Sequence, residues 1–114
     1  MKFVSTRGGH TATFEEAIST GYAPDGGLYL PERIPTLSPS DLEAMQHQSF
    51  TQVFLKVASL FISEEVPTSD LEGMIAAAFA TFSHTDVVPV VKVGRLHVAE
   101  LFHGPTYAFK DFGQ

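Results

Sequence analysis

Phenylalanine recurs at helical spacing through the middle of the chain, and this pattern constrains the fold more than any other feature. One apolar set with intervals of three and four residues begins at Phe50, and a second begins at Leu71. Helices that carry such stripes must bury them, so we predict two helices packed on each other. We interpret the phenylalanines as core and not as a cofactor-binding stripe. The stripes are Phe50, Val53, Phe54, Val57, Ala58 and Phe61, then Leu71, Met74, Ile75, Ala78, Phe79 and Phe82.

Local start and stop signals predict the elements before these helices. Thr13–Glu16 and Ser49–Gln52 have the spacing of capping boxes, in which two side chains bond each other's backbone amides. Ser38–Asp41 places a proline and an acid in a first helical turn, where both are favourable. Residues 2–5 can form a short strand, and residues 28–30 are a short apolar run that ends at Pro31. The region up to residue 84 is therefore predicted to be mainly helical, with short strands.

The pattern changes after Ser83. Residues 87–93 and 96–102 are β-rich and are joined by Gly94-Arg95, which suits a type II′ hairpin turn. We predict an α+β chain of two parts: a helical domain over residues 1–84 and, over residues 85–114, the first β-hairpin of another domain.

Composition excludes several function classes. The 114 residues carry a net charge of −6 and scattered basic residues, which argues against a nucleic-acid partner. There is no cysteine, and the five histidines show no i, i+4 pairing, so we expect no metal site. No apolar run approaches the roughly 20 residues of a membrane-spanning helix, and the first residues lack a signal peptide's apolar core. We expect a cytoplasmic protein with no membrane partner.

The segment Glu100–Gly113 carries the chemistry. A Gly104-Pro105 loop follows the second predicted strand, and Lys110 stands between aromatic residues. A lysine amine has a pKa near 10.4 in water, and burial beside apolar rings lowers that pKa and makes the amine nucleophilic. Such a lysine suits imine chemistry with an aldehyde cofactor. On this local chemistry alone, a solvated surface lysine is the more frequent case.

The order of several motifs resembles the threonine synthase family. Besides Glu-Leu-Phe-His-Gly-Pro-Thr-Tyr-Ala-Phe-Lys-Asp-Phe-Gly over residues 100–113, the similar runs are Ser5–Gly8, Phe14–Ala17 and Ala23–Pro31. The resemblance spans nearly the whole chain. It implies that residues 85–114 begin an α/β catalytic domain of the tryptophan-synthase-β-like group, which is fold type II among pyridoxal phosphate enzymes.

The resemblance also implies an activity. Members of this family use pyridoxal 5′-phosphate to convert O-phospho-L-homoserine and water into L-threonine and phosphate. By similarity, Lys110 would attach the cofactor and then act as the mobile acid and base. A homodimer is a possible assembly, and the remainder of its own chain is an expected partner.

Five further residues are candidates for the pocket, and four of them have a structural alternative. His103 could contact substrate or be a satisfied structural histidine, and the Thr106 hydroxyl could line the pocket or bond its own turn. Phe109 would form part of the wall. Asp111 could orient the lysine, although a place in a first helical turn is favoured. Arg7 could bind a phosphate through two N–H groups, but a structural arginine is favoured.

The sequence lacks the glycine-rich phosphate loop of this family, so we expect the chain to be an N-terminal part that is inactive alone. Two alternatives stay open. A threonine synthase-like phospholyase shares the motifs, and Tyr107, where leucine is usual in many bacterial members, slightly favours it. A non-catalytic, stand-alone helical interaction module is the other.

Overall fold

The computed structural model of the chain describes residues 1–113. Their secondary structure is a mixture of short strands and helices, and no helix among them is long and apolar enough to cross a bilayer. The elements in chain order are β1 (Phe3–Ser5), β2 (Thr11–Ala12), α1 (Phe14–Thr20), β3 (Tyr29–Pro31), α2 (Pro39–Met45), α3 (Phe50–Ile62), α4 (Thr68–Phe79), β4 (Val90–Val93), β5 (Leu96–Ala99) and a 3₁₀ helix (Phe109–Phe112).

The first three strands form one small antiparallel sheet with β1 in the centre. Ser5 ends β1 and is buried, and its hydroxyl donates to Asp25 Oδ1 at 2.7 Å. The strand predicted over residues 2–5 is confirmed as β1, the apolar run over residues 28–30 overlaps β3, and β2 is an addition. Thr11–Ala12 is only two residues long, which is too short to leave a period-2 pattern in the sequence.

Helices α3 and α4 pack together and form the main core, as the two apolar stripes predict. Phe79 lies at its centre, with ring centroids 5.0 Å from Phe50, 5.4 Å from Phe54 and 5.1 Å from Phe82. These pairs have edge-to-face geometry, which aromatic rings prefer. Phe112, from the 3₁₀ helix, adds a ring 5.0 Å from Phe82. The end of the described chain is thus anchored on the helical core.

Helices α1, α2 and α3 begin where the capping motifs of the sequence predict. Both predicted capping boxes are present, at Thr13–Glu16 and Ser49–Gln52, and the Ser38 start of α2 forms a third with Asp41. Each box satisfies amide groups that a helix N-terminus leaves without a carbonyl partner.

The hairpin is confirmed but both strands are shorter than predicted. Val87 has a φ of 61° and is buried against the α3–α4 core, and Pro89 has no N–H for a strand ladder, so β4 begins at Val90. The partner strand ends at Ala99: the Glu100 N–H still donates to the Pro89 carbonyl at 3.0 Å, but Pro89 has no N–H to donate in return. Gly94 has a φ of 60° while Arg95 keeps a negative φ, as a type II′ turn requires.

Candidate functional site

A tight turn follows the hairpin. The Tyr107 N–H donates to the Gly104 carbonyl at 3.1 Å, which closes a four-residue turn with Pro105 at its second position. Tyr107 itself has a φ of 59°, in the left-handed region that costs a residue with a side chain about 1–2 kcal/mol. A bulky side chain held in this conformation indicates that its surroundings fix the loop.

Asp111 closes the loop from its other end. Its Oδ2 accepts the Thr106 N–H at 2.9 Å, and its Oδ1 accepts the Thr106 hydroxyl. The hydroxyl hydrogen bond from Thr106 holds the pKa of the Asp111 carboxyl below its usual value of 3.8, so the group is ionised at neutral pH. Gly104 is buried beneath this carboxylate, and a Cβ at residue 104 would collide with the Asp111 side chain. We call these contacts the Thr106–Asp111 brace.

Lys110 lies within the 3₁₀ helix that follows the loop, and its side chain is exposed. Phe109 is 67% exposed, and Phe112 packs into the helical core. Lowering of the lysine pKa by these two rings depends on burial of the amine, and within residues 1–113 the amine is not buried, because one ring faces outward and the other packs on the core. Any desolvation of Lys110 must come from groups beyond this part of the chain.

His103 is fixed by two neighbouring elements. Its Nε2 lies 2.7 Å from Glu100 Oε2, and its carbonyl accepts the Ser83 N–H at 2.9 Å. The ring is also 5.1 Å from the ring of His84. Sequence reasoning missed Glu100 as a partner, although the spacing of three residues was visible. His103 therefore has the bonds of a structural histidine and lies one residue before the Gly104 turn.

Arg7 lies on a different loop. Its Nη1 donates to the Asp25 carbonyl at 3.0 Å, and the Asp25 carboxylate accepts from Gly9 N–H and Gly27 N–H, each at 3.0 Å. Within residues 1–113 no hydrogen bond or ion pair joins Arg7 to the Lys110 segment. The contact with the Asp25 turn is the one expected of a structural arginine.

An open apolar groove of about 720 Å³ runs beside the segment. It is lined by aromatic and aliphatic side chains of the small sheet, α3 and α4, together with Pro105 and Phe112. Asp111 is the one charged residue in its lining as far as residue 113. The groove does not offer the several polar groups that a phosphorylated amino acid needs. Over the same residues, no group of three metal-ligating side chains comes together.

The comparison with protein families shows to which family the chain belongs. Residues 2–79 match the family model described as the threonine synthase N terminus. The chain belongs to the threonine synthase family. The threonine synthase match covers the first strand through helix α4, and thus most of the predicted helical domain.

Curated relatives extend the likeness to nearly the whole chain. It is 46% identical to threonine synthase-like 2 of Xenopus laevis and 40% identical to threonine synthase of Schizosaccharomyces pombe, with 97% of this chain covered in both. The chain spans 24% and 22% of the length of these two threonine synthase relatives. It corresponds to their N-terminal region.

Solved structures show the same fold. The pyridoxal phosphate-bound threonine synthase of Brucella melitensis superposes with a TM-score of 0.92 at 43% identity, over 97% of this chain and 24% of that one. Yeast threonine synthase superposes with a TM-score of 0.90 at 40% identity, over 96% of this chain and 23% of that one. The predicted α+β class is confirmed: four α-helices and short strands, as in the N-terminal part of the fold type II threonine synthases.

Proposed function

We propose that the chain is the N-terminal part of a pyridoxal 5′-phosphate-dependent lyase and that Lys110 attaches the cofactor. One observation carries the proposal: an exposed lysine follows a closed, braced loop, in a chain 43% identical to a threonine synthase solved with pyridoxal phosphate bound. Primary amines form imines with aldehydes, and the exposed Lys110 side chain leaves its amine accessible to one. The residues present therefore fit the attachment of the cofactor aldehyde to Lys110.

The cofactor, when bound, supplies an electron sink for charge that develops on the substrate carbon. This chain supplies the amine that holds it. Once released, Lys110 Nζ is a base on a mobile side chain, which can take a proton from one substrate carbon and return it to another. Asp111 and Thr106 are assigned to the loop that carries Lys110, and Phe109 is assigned to the pocket wall.

His103 and Arg7 have more distant roles in this proposal. The Glu100 carboxylate, 2.7 Å from His103 Nε2, orients the imidazole, so that His103 shapes the start of the Gly104 turn. The other ring nitrogen, Nδ1, lies 3.5 Å from the Ser83 hydroxyl, a long hydrogen bond that a substrate group would have to replace. Arg7 has N–H groups besides the one that donates to Asp25, and within residues 1–113 no hydrogen bond uses them, so a phosphate can bind there.

We propose that the substrate of the complete enzyme is O-phospho-L-homoserine, converted with water to L-threonine and phosphate. The names of the Schizosaccharomyces pombe and Brucella melitensis proteins support this reading. A threonine synthase-like phospholyase is the second candidate, favoured by the 46% identity to the Xenopus laevis protein and by Tyr107. The two differ in whether threonine accompanies the released phosphate.

The division near residue 84 is also part of the proposal. Both strands of the β4–β5 hairpin are largely exposed, with Val90 62% and Leu96 61% exposed, and a lone hairpin is marginally stable in water. Exposed apolar surface of this kind suits contact with more protein. We assign that partner to the remainder of the same polypeptide. A homodimer and a cytoplasmic location stay predictions from sequence.

The test uses a joined enzyme, in which this chain replaces the matching N-terminal quarter of the Brucella melitensis threonine synthase. We expect it to release phosphate and threonine from O-phospho-L-homoserine, and we expect its Lys110→Ala variant to release neither. The products of the complete enzyme to which this chain belongs, threonine with phosphate or phosphate alone, separate the threonine synthase from the phospholyase. An active Lys110→Ala variant contradicts the assignment of Lys110. A folded joined enzyme that binds no pyridoxal phosphate supports the stand-alone module instead.

A further inference from the structure

The six residues from Thr106 to Asp111 form a loop that one side chain closes. Asp111 uses both carboxylate oxygens on Thr106, one for the backbone N–H at 2.9 Å and one for the hydroxyl. The Asp111 N–H in turn donates to the Ala108 carbonyl at 3.0 Å and starts the 3₁₀ helix. Since hydrogen bonds to an ionised carboxylate are shorter and stronger than neutral ones, this closure is a strong local constraint on the loop.

Two neighbours show that the loop is built around this carboxylate. Gly104 is buried, and any side chain there would displace Asp111. Tyr107 accepts a left-handed φ of 59° while its side chain stays 78% exposed, so packing of that ring does not explain its backbone conformation. The Tyr107 N–H bond to the Gly104 carbonyl and the Thr106–Asp111 brace explain that conformation.

The loop is also tied to the core on its far side. Phe112 follows Asp111 directly and lies against Phe82, with ring centroids 5.0 Å apart, and against Phe50 at 6.3 Å. Lys110 thus stands immediately before two anchored residues, Asp111 in the brace and Phe112 in the core. Its backbone is held on the C-terminal side, where its carbonyl also accepts the Gly113 N–H at 3.0 Å, while its side chain remains exposed.

We infer that Asp111 and Thr106 are positioning residues, whose brace sets the backbone of Lys110 so that its amine meets the cofactor aldehyde. This inference rests on the proposed function of Lys110. An amine and an aldehyde react quickly only when they are held at the right separation, and a displacement of 1 Å can cost about a hundredfold in rate. The brace contributes by removing loop conformations in which the amine is misplaced.

The experiment measures how fast Lys110 attaches pyridoxal phosphate in the joined enzyme stripped of cofactor. Samples are reduced with borohydride at set times after pyridoxal phosphate is added, and the labelled lysine is identified by mass spectrometry. Asp111→Asn removes the charge and one acceptor, Thr106→Val removes the hydroxyl, and Thr106→Ser restores it. Asp70→Asn is the matched control, because Asp70 is an acid in the first turn of α4 with no contact to the loop.

We expect attachment at Lys110 to slow by about tenfold in Asp111→Asn and by less in Thr106→Val, with Thr106→Ser and Asp70→Asn close to the parent. A purely structural role would instead lower stability and leave the attachment rate of the folded enzyme unchanged. Attachment at Lys110 that Asp111→Asn does not slow overturns the positioning role and leaves the proposed function standing. Attachment at another lysine overturns both.

A second readout needs no cofactor. In the 114-residue chain, the Thr106 amide resonance should shift as the pH falls below the usual aspartate pKa of 3.8, because protonated Asp111 no longer accepts both bonds. The same resonance should not titrate in Asp111→Asn. A Thr106 amide that is indifferent to both pH and the substitution would mean that the brace does not exist in solution.

Discussion

Glu65 binds the start of a helix that lies 51 residues away, at Phe14. Its Oε1 accepts the Phe14 N–H at 2.9 Å, and its Oε2 accepts the Glu15 N–H at 3.2 Å. Thr13 serves the next amide of α1, so the first amides of this helix all have partners. Because Glu65 follows α3, this carboxylate ties α1 and the small sheet to the helical core.

Replacing Glu65 with alanine should lower the free energy of unfolding by about 1 kcal/mol, the usual effect of losing a helix cap. Glu43→Ala, which removes an exposed acid of α2, is the control and should change it by less than about 0.5 kcal/mol. Urea unfolding followed by circular dichroism measures both. Equal effects would mean that Glu65 does not cap α1 in solution.

Phe79 should be the most sensitive core position among the phenylalanines. It is 8% exposed and has four aromatic neighbours with centroids within 6.4 Å, so Phe79→Ala should cost about 3–5 kcal/mol. Phe109→Ala removes a ring that is 67% exposed and should cost less than about 0.5 kcal/mol in this chain. Chemical denaturation of the two variants tests the difference, and a comparable loss in both would contradict the assigned core.

Two glycines should respond to alanine with opposite signs. Gly27 is buried, and a Cβ there would press on the Ser5 and Thr6 hydroxyl oxygens, so Gly27→Ala should destabilise by about 1–3 kcal/mol. Gly73 is exposed in α4 with open space around its Cα, so Gly73→Ala should stabilise by about 1 kcal/mol. Thermal unfolding shows whether the melting temperature falls in Gly27→Ala and rises in Gly73→Ala. Destabilisation by Gly73→Ala would contradict the placement of that residue.

Asp41 predicts a pH dependence for the start of α2. The Ser38 hydroxyl and amide, with Lys56 Nζ 3.3 Å away, lower the pKa of the Asp41 carboxyl to about 2 from 3.8. A group with a lowered folded-state pKa stabilises above its unfolded value, and this contribution is lost as the pH falls through the folded one. The difference in unfolding midpoint between the parent and Asp41→Asn should therefore be largest above pH 4 and become smaller as the pH falls towards 2. A difference that grows on acidification would refute the assignment.

Local signals were sufficient for much of the fold. The capping boxes at Thr13 and Ser49 and the Phe50 and Leu71 stripes depend on residues three to seven positions apart, so the sequence displays them directly. The Glu65 cap could not be predicted, because its two partners are 50 and 51 residues away. The sequence pattern places the start of β4 too early, since the apolar Val87 packs on the helical core and not in the hairpin.

Some features of the candidate site can likewise be predicted from the sequence, and others cannot. Resemblance located Lys110, and Gly104-Pro105 indicated a turn that the structure contains. The bond from Thr106 to Asp111 spans five residues with no regular period, and nothing in the sequence marks it. The exposure of Lys110 is the case that local chemistry alone favours, whereas nothing in the sequence shows that Phe109 is exposed while Phe112 packs on the helical core.

The central claim is that Lys110 is the lysine that carries the cofactor. Borohydride reduction of the joined enzyme with pyridoxal phosphate bound, followed by peptide mapping, tests it most directly. The account predicts one label per chain, on Lys110, and none in Lys110→Ala. A label on Lys2, Lys56, Lys92 or a lysine of the Brucella melitensis portion, retained in Lys110→Ala, would contradict it.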